Sequence, residues 1–272
     1  MELKGKRVLL TGATGGIGRE IAKALAAQGA ELVLVGRSAN DLNTLVSSLP
    51  NGAFHQGVAA DIASIEGLER IQRLCWSMKS SGRPVDVLIN NAGCNTFRYL
   101  QEREPGSLRQ EIDVNLVAPI LLSQQALHWL SEKGVVLNVG STFGAIGFPG
   151  YANYCASKAG LQRFSEALNR EVSGTGKRVQ YFAPRATNTS LNDDRVMEMN
   201  QKLGNKTDDA DRVAVQIVEA LKSGAPVTWL GWPEKVFVRL NQIFPSLVGF
   251  FIRQQHQTIT EYASKPTANP KI

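Results

Sequence analysis

Six short runs rich in Val, Leu and Ile recur along the chain with longer amphipathic segments between them: "RVLLTG", "AELVLVG", "VDVLINN", "GVVLNVG", "RVQYFAP" and "PVTWLG". Runs of that length without polar alternation read as strands buried on both faces. Parallel strands need a crossover, and the intervening helical segments supply one each time. The pattern predicts an α/β fold: one doubly wound parallel sheet of about seven strands flanked by helices, a weaker strand lying at 53–58 ahead of Asp61. A chain of 272 residues, 43% of them hydrophobic, is long enough to fill such a core as a single domain. It contains no repeat, low-complexity tract or linker that would divide it.

Several function classes are excluded early. Cys75, Cys94 and Cys155 form no CxxC pair and have no histidine cluster beside them, so no metal site is expected and a reducing, cytoplasmic setting fits. The start "MELKGKRVLLTGATGG" has no apolar stretch leading to a cleavage site, so export is not expected. No run approaches the roughly 20 apolar residues that cross a bilayer. The net charge of +6 is spread without a dense basic cluster or an interleaved aromatic stripe, which argues against nucleic acid. A phosphorylated ligand would account for part of it.

"VLLTGATGGIGREIAKAL" places Gly12, Gly16 and Gly18 directly after the first strand and at the opening of a helix. Glycines there let the backbone turn tightly and approach a pyrophosphate, which the free N–H groups of the helix N-terminus stabilise. The spacing is TGxxxGxG, from Thr11 to Gly18, and it resembles the short-chain dehydrogenase/reductase family. The resemblance covers about residues 5–232 and implies a Rossmann-type fold, a nicotinamide dinucleotide, and contacts to it from Gly12, Thr14, Gly15, Gly16, Ile17 and Gly18. "NNAG" follows the fourth strand, where the family has a motif beside the adenosine; this implicates Asn91, Ala92 and Gly93. Asp61 and Ile62 stand where the family contacts adenine.

The end of the second strand bears on which dinucleotide is held. An acid there would bond the ribose hydroxyls and repel a 2′-phosphate, whereas an arginine pairs with the phosphate. The chain reads "LVLVGRS": Gly36 takes the acid's place and Arg37 follows, with the Ser38 hydroxyl alongside. The expected cofactor is NADP(H).

Reducing a ketone, or oxidising an alcohol, needs a proton at oxygen as a hydride moves at carbon. A tyrosine, with an ordinary pKa of about 10, becomes a usable proton carrier when an ammonium lies one helical turn away. "GYANYCASKAG" offers two tyrosines on a common helical face with Lys158: Tyr154, four residues before it, and Tyr151, seven before it. The resemblance strengthens here. In the family a serine at the end of the fifth strand lies about a dozen residues before the tyrosine, and Ser141 lies thirteen before Tyr154. It implies that Ser141 holds the substrate oxygen, that Tyr154 is the general acid/base, and that Lys158 also bonds the nicotinamide ribose. The resemblance also implies that Asn115, in the preceding helix, positions a water in the proton relay. Tyr151 follows the breaker "GFPG" and is assigned to the pocket wall or helix entrance.

After the sixth strand the family has Pro-Gly and then a threonine that touches the nicotinamide carboxamide. "APRATNT" retains Pro184, Thr187 and Thr189, but Arg185 stands where the glycine would be. Two readings of Arg185 are open: a contact to an acidic or phosphate-bearing substrate, or a surface side chain pairing with Asp193 or Asp194. Residues 188–209 are polar and irregular and read as a mobile lid. Residues 1–232 form the dinucleotide-binding and catalytic domain, and 233–272 an apolar extension with a polar tail.

That extension, "WPEKVFVRLNQIFPSLVGFFIRQQ", has three open uses: packing on its own or a neighbouring subunit, covering a lipophilic substrate pocket, or peripheral membrane contact through 233–254. The last 18 residues read as a frayed end. Two function classes fit the chain. One is an NADP(H)-dependent oxidoreductase interconverting a small ketone and a secondary alcohol, assembled as a homodimer or homotetramer. The other is a non-catalytic dinucleotide-binding sensor or scaffold of the same fold, which would be expected to have lost Tyr154 or Lys158.

Overall fold

A computed structural model describes residues 1–265. In chain order the elements are β1 (Arg7–Thr11), α1 (Gly16–Ala27), β2 (Glu31–Gly36), α2 (Ala39–Ser48), β3 (Gln56–Ala59), α3 (Ile65–Ser80), β4 (Val85–Asn90), α4 (Pro105–Ile112), α5 (Ala118–Trp129), β5 (Leu130–Val139), α6 (Ala152–Glu171) and β6 (Arg178–Ala183). The two-residue strands β7 (Thr187–Asn188) and β8 (Asp208–Asp209) flank α7 (Asp194–Lys202). Then come α8 (Ala210–Ser223), β9 (Val227–Trp229), α9 (Trp232–Ile243), α10 (Pro245–Gln254) and α11 (His256–Ala263).

Seven strands form one sheet in the order β3-β2-β1-β4-β5-β6-β9, and every pairing is parallel. The two-residue period of a strand divides its side chains between the two faces. Val8, Leu10, Leu32, Leu34, Val87 and Ile89 pack with Ile21 and Leu25 of α1, Leu42 and Leu45 of α2, and Val213, Ile217 and Leu221 of α8. Leu9, Val33, Val35, Leu88 and Val136 meet Leu68 and Ile71 of α3, Leu122 and Trp129 of α5, and Leu168 of α6. Neither face reaches water, and that explains the uniformly apolar runs. A buried polar ladder crosses the second layer: Asn90 Nδ2 donates to Asn138 Oδ1 at 2.8 Å and Asn138 Nδ2 to Ser165 Oγ at 2.8 Å, tying β4, β5 and α6.

Strand order reverses between β1 and β4, and the crevice at their carboxyl ends is where such sheets bind ligands. The two strand ends are locked together. Thr11 Oγ1 accepts from the N–H groups of Asn91 and Ala92 at 3.0 and 3.1 Å, and Asn91 Nδ2 donates to the Thr11 and Gly12 carbonyls at 3.0 and 3.2 Å.

Three expectations change. The weak strand lies at Gln56–Ala59 rather than 53–58, because residues 52–54 form a tight turn after the left-handed Asn51. The segment expected to be an irregular lid carries α7, started by the Asp193 side chain accepting from Val196 N–H at 3.1 Å and anchored by buried Val196 and Met199. The tail expected to fray instead forms α11, whose Ile259, Tyr262 and Ala263 are buried; the remainder of that expectation, residues 266–272, lies outside the described residues. Among the described residues no helix is long and apolar enough to cross a membrane.

Candidate active site

The strand ends and the loops that follow them enclose a cleft of about 490 Å³. At one end β1 runs into the glycine turn. Gly12 adopts φ +63°, and a Cβ there would stand 2.6 Å from the Ala92 Cα, while one at Gly18 would stand 2.1 Å from the Gly12 carbonyl oxygen. Only bare backbone fits both places. Helix α1 starts at Gly15 without a side-chain cap and with no acid in its first turn, so its N–H groups and positive dipole end remain available for an anion. The residues present therefore fit a pyrophosphate.

Farther along this half, Gly36, Arg37, Asp61 and Ile62 line the wall. Gly36 is fully buried and leaves no carboxylate at the β2 end; Arg37 is exposed and is in no ion pair among the described residues. Asp61 Oδ1 accepts from the Ala63 N–H at 3.0 Å and shapes the turn into α3. Ser38, considered as an extra ligand, is used locally: its Oγ accepts from the Asp41 N–H at 3.2 Å and caps α2.

The other half holds the titratable groups. Gly150, at φ +81°, closes against the Phe97 ring and releases the chain into α6. The first turns of that helix bring Tyr151, Tyr154 and Lys158 to the cleft. Ser141 and Tyr154 both line the cleft, and the serine side chain favours the ionised form of the phenol. Lys158 Nζ stands 5.7 Å from the centre of the Tyr154 ring and donates to the Val139 carbonyl at 3.0 Å. Ser141 Oγ accepts from the Phe143 N–H at 3.1 Å, which turns its own proton away from that neighbour. Burial raises Tyr154 above the ordinary phenol value, and the Ser141 side chain acts in the opposite direction. Burial also lowers Lys158 from 10.5 to about 8. The tyrosine is thus held as a neutral acid beside a base that gives up charge readily.

Asn115 does not line the cleft; it is fully buried behind it, on a one-turn π-helical segment (Asp113–Val117) between α4 and α5. Its Oδ1 accepts from the Cys94 N–H at 2.9 Å, and its Nδ2 donates to the Cys94 carbonyl at 2.8 Å and to Ser157 Oγ at 3.3 Å. The side chain is therefore committed to shaping the loop after β4. Gly93 is squeezed between it and the lysine: a Cβ there would lie 3.2 Å from Asn115 Oδ1 and 3.7 Å from Lys158 Nζ.

After β6, Pro184, Thr187 and Thr189 reach the cleft, and a Cβ on Gly16 would meet the Thr189 side chain at 2.7 Å, so this loop lies directly over the glycine turn. Arg185 pairs with neither Asp193 nor Asp194. Its Nε and Nη2 donate to the two carboxylate oxygens of Asp208 at 2.8 and 2.6 Å, and Nη1 lies 3.5 Å from Glu234. Arg185 is not at positive φ, so the missing glycine is not missed there.

Sequence reasoning overlooked the aromatic wall above Tyr154. Phe143 stacks on Phe148 with centroids 5.1 Å apart, and Phe97 and Tyr151 lie 5.0 Å apart. Val196 and Met199 of α7 and Ile259 and Tyr262 of α11 complete the same cluster. The phenylalanines and the i, i+3, i+4 spacing in α11 were visible signals.

The chain matches the family model described as short chain dehydrogenase over residues 6–200. It is 32% identical over 206 residues to the 3-oxoacyl-[acyl-carrier-protein] reductase FabG of Escherichia coli, covering 75% of this chain and 82% of that protein. It is 30% identical over 242 residues to nodulation protein G of a Rhizobium species, covering 87% and 94%. The crystal structure of a short-chain dehydrogenase from Streptomyces avermitilis superimposes with a TM-score of 0.76 at 26% identity over 93% of this chain and 99% of that one. A Burkholderia cenocepacia short chain dehydrogenase, solved in complex with NADP, has a TM-score of 0.73 at 21% identity, covering 98% and 100%.

Proposed function

The chain belongs to the short-chain dehydrogenase family and is an oxidoreductase acting on CH–OH and C=O groups, and we propose that it uses NADP(H) to interconvert a lipophilic ketone and its secondary alcohol. One observation carries the reading. The hydroxyls of Ser141 and Tyr154, with Lys158 beside them, stand at one end of a continuous cleft whose other end presents Arg37 and no carboxylate at the β2 terminus.

The glycine turn and the α1 N-terminus would hold the pyrophosphate and Arg37 would pair with the 2′-phosphate, so that the dinucleotide, when bound, would supply the hydride. Ser141 donates a hydrogen bond to the substrate oxygen and orients it. Tyr154, kept neutral by burial, gives its proton to that oxygen, and the Lys158 ammonium favours the phenolate left behind. Asn115 acts at one remove, by holding the Cys94 loop. The aromatic wall of Phe97, Phe143, Phe148 and Tyr151 excludes water and accommodates an apolar group beside the carbonyl.

Following NADPH oxidation against ketones graded by chain length and charge tests this. Turnover should rise with apolar chain length and be far lower with NADH. Tight dinucleotide binding without turnover on any ketone would instead favour a sensor or scaffold.

A further inference from the structure

Among the described residues, eight of the seventeen large exposed apolar side chains fall in the twenty-residue stretch 232–251 of α9 and α10, Trp232, Phe237, Phe244, Leu247, Phe250 and Phe251 among them. The two helices pack against each other, and each buries one apolar residue, Val238 and Val248, while Glu234, Asn241 and Ile252 also contact the body. In α10 the outward residues Leu247, Phe250 and Phe251 follow the i, i+3, i+4 spacing of one helical face. Exposed apolar patches on this scale mark interaction sites.

The charges say what the partner is. Four ionisable residues lie between Trp232 and Gln255, and the one acid, Glu234, is turned inward onto Arg185. The other three, Lys235, Arg239 and Arg253, are exposed, and none is in an ion pair among the described residues. A symmetric contact between two copies of this face would bring like charges together. A surface of anionic headgroups over an apolar interior complements both the fringe and the face. The helices are too short to cross a bilayer.

We propose that α9 and α10 form a docking face by which the protein binds peripherally to anionic phospholipid membranes. The face is wired to the cleft at both ends. Asn241 Nδ2 donates to the Ala145 carbonyl at 2.8 Å in the loop after Ser141, and α10 leads straight into α11, which closes the aromatic wall. A lipophilic substrate partitioned in the bilayer is thereby presented near its pocket.

Co-sedimentation of the full-length protein with vesicles tests the assignment. Vesicles containing phosphatidylglycerol should pull the protein down at low salt, and pure phosphatidylcholine vesicles should do so far less. Each basic residue near such a surface changes affinity by about five-fold, so a Lys235→Gln, Arg239→Gln, Arg253→Gln variant should bind roughly 100-fold more weakly. Phe250→Glu with Phe251→Glu should abolish binding. All these side chains are exposed, and unchanged NADPH affinity and circular dichroism verify that the variants are folded. The assignment is overturned if the parent protein ignores both vesicle types, or binds them equally and without salt dependence. It is overturned equally if the Phe variant dissociates an oligomer of a parent that does not bind vesicles, which would make a second copy the occupant.

Discussion

The Tyr181 hydroxyl grips the main chain of Ser141 from beneath, accepting from its N–H and donating to its carbonyl, both at 3.2 Å. Tyr181 is buried on β6, and its ring fills the space under Gly140, where a Cβ would stand 2.0 Å from the ring carbon Cζ. Ser141 itself starts a short turn with extended φ, where its Oγ and carbonyl also accept from the Phe143 and Gly144 N–H groups, so Tyr181 adds the contact from the sheet side. Tyr181 therefore positions the serine without touching the substrate.

Tyr181→Phe should lower kcat by roughly 2- to 10-fold, the worth of one neutral hydrogen bond, with NADPH affinity unchanged. Steady-state rates alongside fluorescence titration of the dinucleotide check this; a loss of cofactor affinity equal to the loss in kcat would point to a general packing defect instead.

Arg37→Ala should weaken NADPH by about 10- to 100-fold, as expected for loss of a charge-assisted bond to phosphate, and leave NADH affinity nearly unaltered. The ratio of the two dissociation constants is the measurement. If both fall together, Arg37 acts on the fold of the cleft and not on the 2′-phosphate.

How much of this was readable in the sequence depends on the distance over which each feature acts. Tyr154 and Lys158 are one helical turn apart, and the glycine turn lies within eight residues, so local spacing exposes both. The seven-stranded sheet was legible because strands buried on both faces carry unbroken apolar runs. Tyr181 was not legible, since its bond to Ser141 joins residues 40 apart and depends on the β5–β6 register. Arg185 was misjudged for the same reason: its acid, Asp208, lies 23 residues away across the β7–β8 pair, farther than the neighbours a sequence reader would try. Helix α7 was missed although "NDDRVMEMNQKL" carries its cap, Asp193, and an apolar pair, Val196 and Met199, because the polar residues around them dominated the reading.

Tyr154→Phe and Tyr151→Phe should part company. The first removes the Tyr154 hydroxyl and should abolish turnover while the dinucleotide still binds. The second changes a residue buried among Phe97, Phe143 and Phe148 at the start of α6, and should mainly raise KM for the ketone. Reversed effects would exchange the two assignments.

Arg185→Ala should destabilise the protein by about 3 kcal/mol, because it strands the buried Asp208 carboxylate without its bidentate partner. The ratio of KM values for acidic and neutral ketones should not move, since both of the pairs that Arg185 makes are internal. Chemical denaturation and paired kinetics read the two effects separately, and a shifted ratio would return Arg185 to the substrate.

Lys158→Met should make the protein more stable at pH 7 while eliminating turnover. Burial holds Lys158 at about 8, below the 10.5 of the unfolded chain, and only the Cys94 and Glu111 charges act in the opposite direction. Between those two values the unfolded state binds more protons, so stability rises with pH there; below about 8 the full cost of the buried ammonium is present. The gap corresponds to about 3 kcal/mol, offset by about 1 kcal/mol because the Val139 carbonyl loses its donor. The remaining 2 kcal/mol would raise Tm by roughly 4 to 8 °C in a protein of this size. The advantage should shrink as pH climbs from 8 toward 10.5, since neutral lysine costs little to bury. Melting curves of both proteins across that range decide it: a variant less stable than its parent at pH 7, or an advantage that does not change with pH, would mean that the ammonium is held without penalty and that its charge is not what the fold has to accommodate.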